Sequence, residues 1–148
     1  MLVPRREEYE KVEALFTILD LKRNNCFSQV AVEAAYSDGE AWLESMIDYV
    51  KGNMDYVRKY CQEHIPQLIP NEPEGTYLIW MDCRELGLND EDLANFMINE
   101  AKIALNPGTA FGEEGSGYVR LNLACPRSAV IEAMQSLKEA VQTIITKE

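Results

Sequence analysis

The sequence predicts an α+β fold, an α/β sandwich in which a small, largely antiparallel or mixed sheet lies under helices. Three observations carry that prediction. Apolar residues recur at steps of three and four over residues 7–20, 38–64, 90–101 and 126–145, the spacing of amphipathic helices. Two runs, 76–81 and 118–124, have strand length and strand composition. The strands fall among the later helices rather than before them, which gives two or three layers.

Taken in order, residues 7–20 form a helix with Glu7 and Glu8 in its first turn and Val12, Leu15, Phe16 and Leu19 inward. The run Lys22–Phe27 is a loop, and residues 28–36 form a second helix whose Val30, Ala31, Ala34 and Ala35 make a close-packing face. Ser37 and Glu40 read as a capping box. It opens a long helix over 38–64, with Leu43, Ile47, Val50, Met54, Val57, Cys61 and Ile65 on one stripe and a bend expected at Gly52-Asn53. Trp42, Tyr49, Tyr56 and Tyr60 share that helix and fit packing against another surface.

Gln67–Pro70 is a short edge strand, because prolines flank it, and Glu72–Gly75 is a turn. Thr76–Met81 is apolar on both faces and therefore central or covered. Asn89 caps a helix over 90–101 with Leu93, Phe96 and Met97 inward. Ile103–Leu105 is a brief strand, followed by a glycine loop. In the strand 118–124, Val119, Leu121 and Leu123 face the core, while Tyr118, Arg120, Asn122 and Ala124 face away. Pro126 and Ser128 start a last helix with Val130, Met134, Leu137, Val141, Ile144 and Ile145 inward.

Composition excludes several functions. A chain of 148 residues with a net charge of −11 has no basic surface for nucleic acid. No apolar run reaches the ~18 residues that span a bilayer, and Met1–Glu8 lacks a signal-peptide core, so a cytoplasmic protein that meets no membrane is expected. Cysteines at 26, 61, 83 and 125 form no Cys-x-x-Cys pair, and His64 is the only histidine. No zinc site is expected, and the thiols read as reduced and mostly packed. His64 fits dipole pairing or solvent at a helix end.

Gly112-x-x-Gly115-x-Gly117 precedes a strand rather than a helix, and Glu113 and Glu114 would repel phosphate, so nucleotide binding by this loop is rejected. It reads as a flexible loop flanking a site. Asp90, Glu91 and Asp92 fit helix capping. Arg120 beside Asn122 could grip a planar carboxylate with two hydrogen bonds, or could be an arginine on a wet strand face.

A resemblance adds to this reading. Glu74–Asp82, Ala104–Gly108, Phe111-Gly112 and Tyr118–Ser128 closely resemble the C-terminal part of the pyridoxal-phosphate-dependent class I/II aminotransferases, in their cystathionine β-lyase-like (carbon–sulfur lyase) branch. Upstream, Ala31–Tyr36, Gly39–Leu43 and Gly52-Asn53 follow in the same order, so the match covers about residues 24–140. It implies the small C-terminal domain of the fold-type I enzymes over 38–148, with 1–37 a helical segment that belongs with the large domain. It places Arg120 on the arginine that binds the substrate α-carboxylate, and Asn122, Asn106, Gly108 and Phe111 beside it as substrate-binding residues, with loop 106–117 at the substrate entrance. Asn25-Cys26-Phe27-Ser28 departs from the family's Asn-x-Phe-Gly.

The family's cofactor lysine, its acid for the pyridine nitrogen and its phosphate ligands have no matching segment. No catalytic, cofactor-binding or metal-binding residue is therefore assigned, and no pyridoxal phosphate is expected bound covalently to this chain. The expectation is a C-terminal fragment, inactive alone. Its parent would be a homodimer acting on an amino-acid or sulfur-amino-acid substrate, and its bared interface would favour self-association. The alternative is a free-standing, non-catalytic binding or regulatory module with the same fold. The motifs do not separate aminotransferase from lyase.

Overall fold

The computed structural model describes residues 5–21 and 25–146; Lys22-Arg23-Asn24 of the expected loop lie outside them. The chain forms two compact units, Met1–Glu44 and Ser45–Glu148.

In the first unit, α1 spans Arg6–Ile18 and α2 spans Cys26–Asp38. Exposed i,i+4 pairs, Arg6 with Glu10 at 3.0 Å and Lys11 with Glu7 at 2.8 Å, run along α1. Helix α2 begins before the expected position, so Cys26 and Phe27 are helical. The cause is Asn25, whose Oδ1 accepts from the backbone N–H of Phe27 (3.0 Å) and Ser28 (2.9 Å). The capping box at Ser37 is not formed, because Ser37 lies inside the last turn of α2. Gly39 makes the junction instead: its N–H donates to Ala35 O (3.0 Å), and its carbonyl accepts from Leu43 N (2.9 Å) in the next helix, α3 (Glu40–His64). Neither α1 nor α2 contains a buried residue. Leu15, Leu19 and Val30, expected inward, are 53%, 56% and 65% exposed. Their helical spacing is real, but the described residues of this unit leave it uncovered.

In the second unit, β1 (Ile69–Pro70), β2 (Leu78–Asp82), β3 (Asn106–Pro107) and β4 (Tyr118–Asn122) make one sheet in the order β1-β2-β4-β3. Every pairing is antiparallel. Prolines sit on both edge strands, where a missing N–H costs nothing. Past Pro70, Asn71 continues the ladder by donating its N–H to Trp80 O and accepting Trp80 N on Oδ1, both at 2.8 Å. The short strand expected over 103–105 lies slightly later, at Asn106-Pro107, where the partner positions Arg120 and Val119 are available.

One face of the sheet is core. Ile79 and Met81 of β2 and Val119 and Leu121 of β4 join Val50, Met54, Val57 and Cys61 of α3. The same cluster takes in Leu93 of α4 (Asp90–Asn95), Phe96 and Met97 of the π-helical turn that continues it to Glu100, and Val130, Met134, Leu137 and Val141 of α5 (Arg127–Ile145). Burying each large aliphatic side chain contributes about 1.5–3 kcal/mol. Two expectations are corrected here. Leu43 and Ile47 are about half exposed. Ile145, the last residue of α5, is 50% exposed while Ile144 packs. Strand β2 is interior to the sheet, as its apolar run predicts, and Leu78, Trp80 and Asp82 on its other face are partly open.

Cys61 and Cys83 are buried, Cys125 is half-buried and Cys26 is exposed, so the thiols are not uniformly packed. Burial pushes the Cys61 and Cys83 thiols up from 9.0 to about 12, which suppresses the reactive thiolate. Iodoacetamide at pH 8 is therefore expected to label Cys26 and to spare both buried thiols until the chain unfolds. Equal labelling rates at Cys26 and Cys61 in the native chain would contradict this. The unfolded chain loses these two protons at lower pH than the folded chain, so their contribution to stability falls as pH rises from 9.0 towards about 12.

Candidate carboxylate site on the open face of the sheet

The open face is set by register. Arg120 lies directly opposite Trp80 on β2 and Asn106 on β3, so three side chains form a row across the sheet. Arg120 Nη2 donates to Asn106 Oδ1 at 3.0 Å. Its guanidinium carbon lies 4.4 Å from the centre of the Phe111 ring, over its face. Phe111 in turn meets Trp80 edge-on, with ring centres 5.3 Å apart and planes at 79°. The Nε of Arg120 is buried and has no hydrogen-bond partner. An unmade bond of this kind costs about 1–3 kcal/mol, a cost that an arriving acceptor removes.

The loop that delivers Phe111 is built by close backbone contact. Gly108 opens a short 3-10 turn, Gly108–Phe111, and a second turn spans Glu113–Gly115. A Cβ on Gly108 would strike the backbone oxygens of Gly115 and Tyr118, and one on Gly115 would strike Gly108. Gly117 holds φ +77°, a left-handed turn into β4 that favours glycine. Asp90 fastens this turn, accepting from Ser116 Oγ and Gly117 N, both at 2.8 Å. That carboxylate, read from sequence as a helix-end acid, also anchors the loop.

The structure therefore brings Arg120, Asn106 and Phe111 together. Asn122 lies on the same face, but its Oδ1 accepts from Ala124 N at 2.9 Å and closes the turn that ends β4. The amide that reaches the guanidinium is Asn106's, from the neighbouring strand. Gly108 is buried and shapes the loop through its backbone. Trp80 is the site residue that the sequence concealed, because the continuous apolar run of β2 gives no sign of which face is open. Beyond Trp80, Arg84 Nη2 meets Asp82 Oδ2 at 2.6 Å and stacks over the Tyr118 ring at 5.1 Å. Its hydrogen bonds hold the Asp82 carboxyl below the usual carboxylate range.

A guanidinium with a free buried N–H, flanked by an amide and aromatic rings, fits a carboxylate. It does not fit a pyridoxal phosphate, which needs an amine for its aldehyde. No lysine lies among the row and loop residues just described, and no group of side chains among the described residues could hold a metal ion. Among the described residues no helix is long and apolar enough to cross a membrane.

A second knot ties β4 to the core. Asn53, fully buried on α3, donates Nδ2 to the carbonyls of Leu123 (2.8 Å) and Cys125 (3.0 Å) and accepts Arg127 Nε on Oδ1 (2.6 Å). Arg127 also donates its backbone N–H to Tyr49 Oη at 2.7 Å and lies 5.3 Å from the centre of the Tyr56 ring. Gly52 leaves room for this guanidinium, since a Cβ there would lie 2.9 Å from Arg127 Nη2. Helix α3 is continuous through Gly52-Asn53, which serve as a docking point.

The model of the class I and II aminotransferases matches residues 13–137. Cystathionine beta-lyase PatB of Bacillus subtilis (strain 168) is 33% identical over 95% of this chain and 36% of its own length. Protein MalY of Escherichia coli (strain K12) is 38% identical over 75% of this chain and 28% of its own. The chain thus spans about a third of the length of these curated relatives. Among solved structures, a PLP-bound protein of Clostridium difficile 630 superposes with TM-score 0.81 at 48% identity, over 95% of this chain and 36% of that one. Cystalysin of Treponema denticola, which contains pyridoxal 5'-phosphate, superposes with TM-score 0.78 at 31% identity, over 80% of this chain and 30% of that one. With a helix-covered antiparallel sheet of the fold-type I kind and a match from residue 13 to 137, the chain belongs to the class I and II aminotransferase family of pyridoxal-phosphate enzymes, in the cystathionine β-lyase-like branch.

Proposed function

We propose that this chain supplies the substrate-carboxylate grip of a pyridoxal-phosphate-dependent aminotransferase or carbon–sulfur β-lyase, with Arg120 holding the α-carboxylate of an amino-acid or sulfur-amino-acid substrate. The observation that carries the reading is the buried, unpartnered Nε of Arg120. Asn106 steadies the guanidinium through Nη2, Phe111 covers it, Gly108 lets the loop close, and Asn122 finishes the strand. Pyridoxal phosphate, when bound in the whole enzyme, supplies the electron sink. The chain's own part is to bind and orient the acid. A homodimeric parent enzyme, with 38–148 as its small domain, completes the proposal.

Alone, the chain is inactive, because no segment of it corresponds to the cofactor's lysine. Incubation with pyridoxal phosphate followed by borohydride is expected to give no stoichiometric adduct at one lysine and no saturable visible band. A single specifically labelled lysine would overturn the claim of inactivity. The grip is tested separately by titrating acetate into the wild-type chain and into Arg120→Gln. Saturable binding is expected in the wild type, weakened about tenfold or more in the variant, in line with the loss of a charge-assisted pair. Equal affinity in both would overturn the role given to Arg120.

A further inference from the structure

We propose that Asp90 is a positioning residue for the carboxylate grip: it closes the stretch of chain that carries both Asn106 and Phe111 and so keeps them on the Arg120 guanidinium. This rests on the reading of Arg120 as the grip and assigns what holds that grip in shape.

Between Asp90 and Gly117 the chain makes one closed excursion. It runs through α4 and the π-helical turn to Glu100, along β3, and through the two 3-10 turns to the start of β4. Asn106 and Phe111, which meet the guanidinium at 3.0 Å and 4.4 Å, both ride on it. Asp90 ties its two ends. One carboxylate oxygen accepts Gly117 N and the other Ser116 Oγ, each at 2.8 Å, across 27 and 26 residues of chain. From Ser116 the constraint passes to Gly115, whose backbone lies against that of Gly108, the head of the turn that ends in Phe111.

Little else fixes the return of the excursion. Strand β3 pairs with β4 through two residues, and one of them is Pro107, which has no N–H to give the ladder. A cavity of about 110 Å³ lies between α4, β3 and β4, with Asp90, Met97, Pro107 and Tyr118 in its wall, so packing is incomplete there. The far end is held separately, by Ser136 Oγ donating to Ala101 O at 2.7 Å. Strand β4 is also held without Asp90, since Cys83 N–H donates to Gly117 O at 2.9 Å and β2 pairs along its length. Asp90 therefore governs the excursion rather than the strand. Without it, fewer molecules keep Asn106 and Phe111 on Arg120, and affinity falls by that fraction.

The test titrates acetate into the whole chain, following the Arg120 Nε–H resonance, each variant held well below its melting temperature. Asp90→Ala is expected to weaken binding about fivefold to tenfold and to move the Arg120 resonance before any ligand is added. Asp90→Asn keeps an acceptor for Gly117 N and offers an amide N–H to Ser116 Oγ, so it should stay within about twofold of the wild type. Val57→Ala, a core truncation on α3 outside the excursion, should lose stability and keep wild-type affinity. Should Asp90→Ala not fold, Ser116→Ala decides, removing one of the two bonds from an exposed residue, with a loss of about twofold to threefold expected. Wild-type affinity in Asp90→Ala, or in Ser116→Ala where that variant decides, would overturn the role of Asp90 and leave the grip standing, provided Arg120→Gln still weakens binding. An equal loss in Val57→Ala, or no rescue in Asp90→Asn, would overturn it as well. Binding indifferent to Arg120→Gln would overturn the grip and the role of Asp90 with it.

Discussion

Asn53→Leu is expected to lower the stability of the second unit by about 3–5 kcal/mol, a large share of the roughly 5–15 kcal/mol that holds a typical domain folded. The substitution keeps the number and branching of side-chain heavy atoms and adds volume, so a cavity does not explain the loss. What it removes is a three-way junction. The carbonyls of Leu123 and Cys125 lose the Nδ2 donor, and Arg127 Nε loses its acceptor, around a side chain that is itself fully buried. Each buried polar group left unsatisfied costs about 1–3 kcal/mol. Urea denaturation followed by circular dichroism measures the loss. A double-mutant cycle with Arg127→Ala should show strong coupling, because each residue is the other's partner. A change below about 1 kcal/mol in Asn53→Leu would show that the β4–α5 connection is held elsewhere.

Gly108→Ala is expected to disrupt the loop that carries Phe111, at a cost of about 2 kcal/mol or more. The added methyl meets the backbone oxygens of Gly115 and Tyr118, which belong to a turn and a strand and cannot rotate aside as a side chain can. Asn106 lies two residues before Gly108 and Phe111 three after it, so carboxylate binding should fall together with stability. Gly75→Ala is the matched control. Nothing lies within 4 Å of its Cβ position and its φ is unrestricted, so the same chemical change there should be close to neutral. Thermal melts of the two variants separate the explanations, and equal melting temperatures would contradict the close approach of Gly108 to Gly115.

The core elements were legible because their signals are local. The stripe Val50, Met54, Val57, Cys61 and the alternation of Val119, Leu121 and Leu123 each state which face is buried, and the residues are buried. The apolar runs that stayed exposed, Leu15, Leu19, Leu43 and Ile47, show the limit of that signal. Periodicity reports that a face is apolar, not that a partner covers it in this chain. Asn53 stood on the α3 stripe between Val50 and Val57, and that position was the available sign of a buried amide. Beside Gly52 it read as a helix weak point instead.

The candidate site was visible in the sequence only at Arg120, whose residue type and strand position left carboxylate binding open beside a place on a wet strand face. Its surroundings were not. Trp80 and Asn106 become neighbours of Arg120 through strand order and register, and a shift of one residue in either pairing would put other side chains there. Asn122 shows the same point from the other side. Alternation set it beside Arg120 on one face, while a local turn claimed its amide oxygen.

The buried Nε of Arg120 is the direct reporter of the central claim. In a nitrogen-15 NMR titration of the whole chain with acetate or hexanoate, the Arg120 Nε–H resonance is expected to shift saturably as it gains an acceptor. Arg127 Nε, already bonded to Asn53 Oδ1 at 2.6 Å, is the internal control and should stay fixed. If the Arg120 resonance remains in place while ligand binds elsewhere, or moves only in step with Arg127 and ionic strength, Arg120 is not the carboxylate grip.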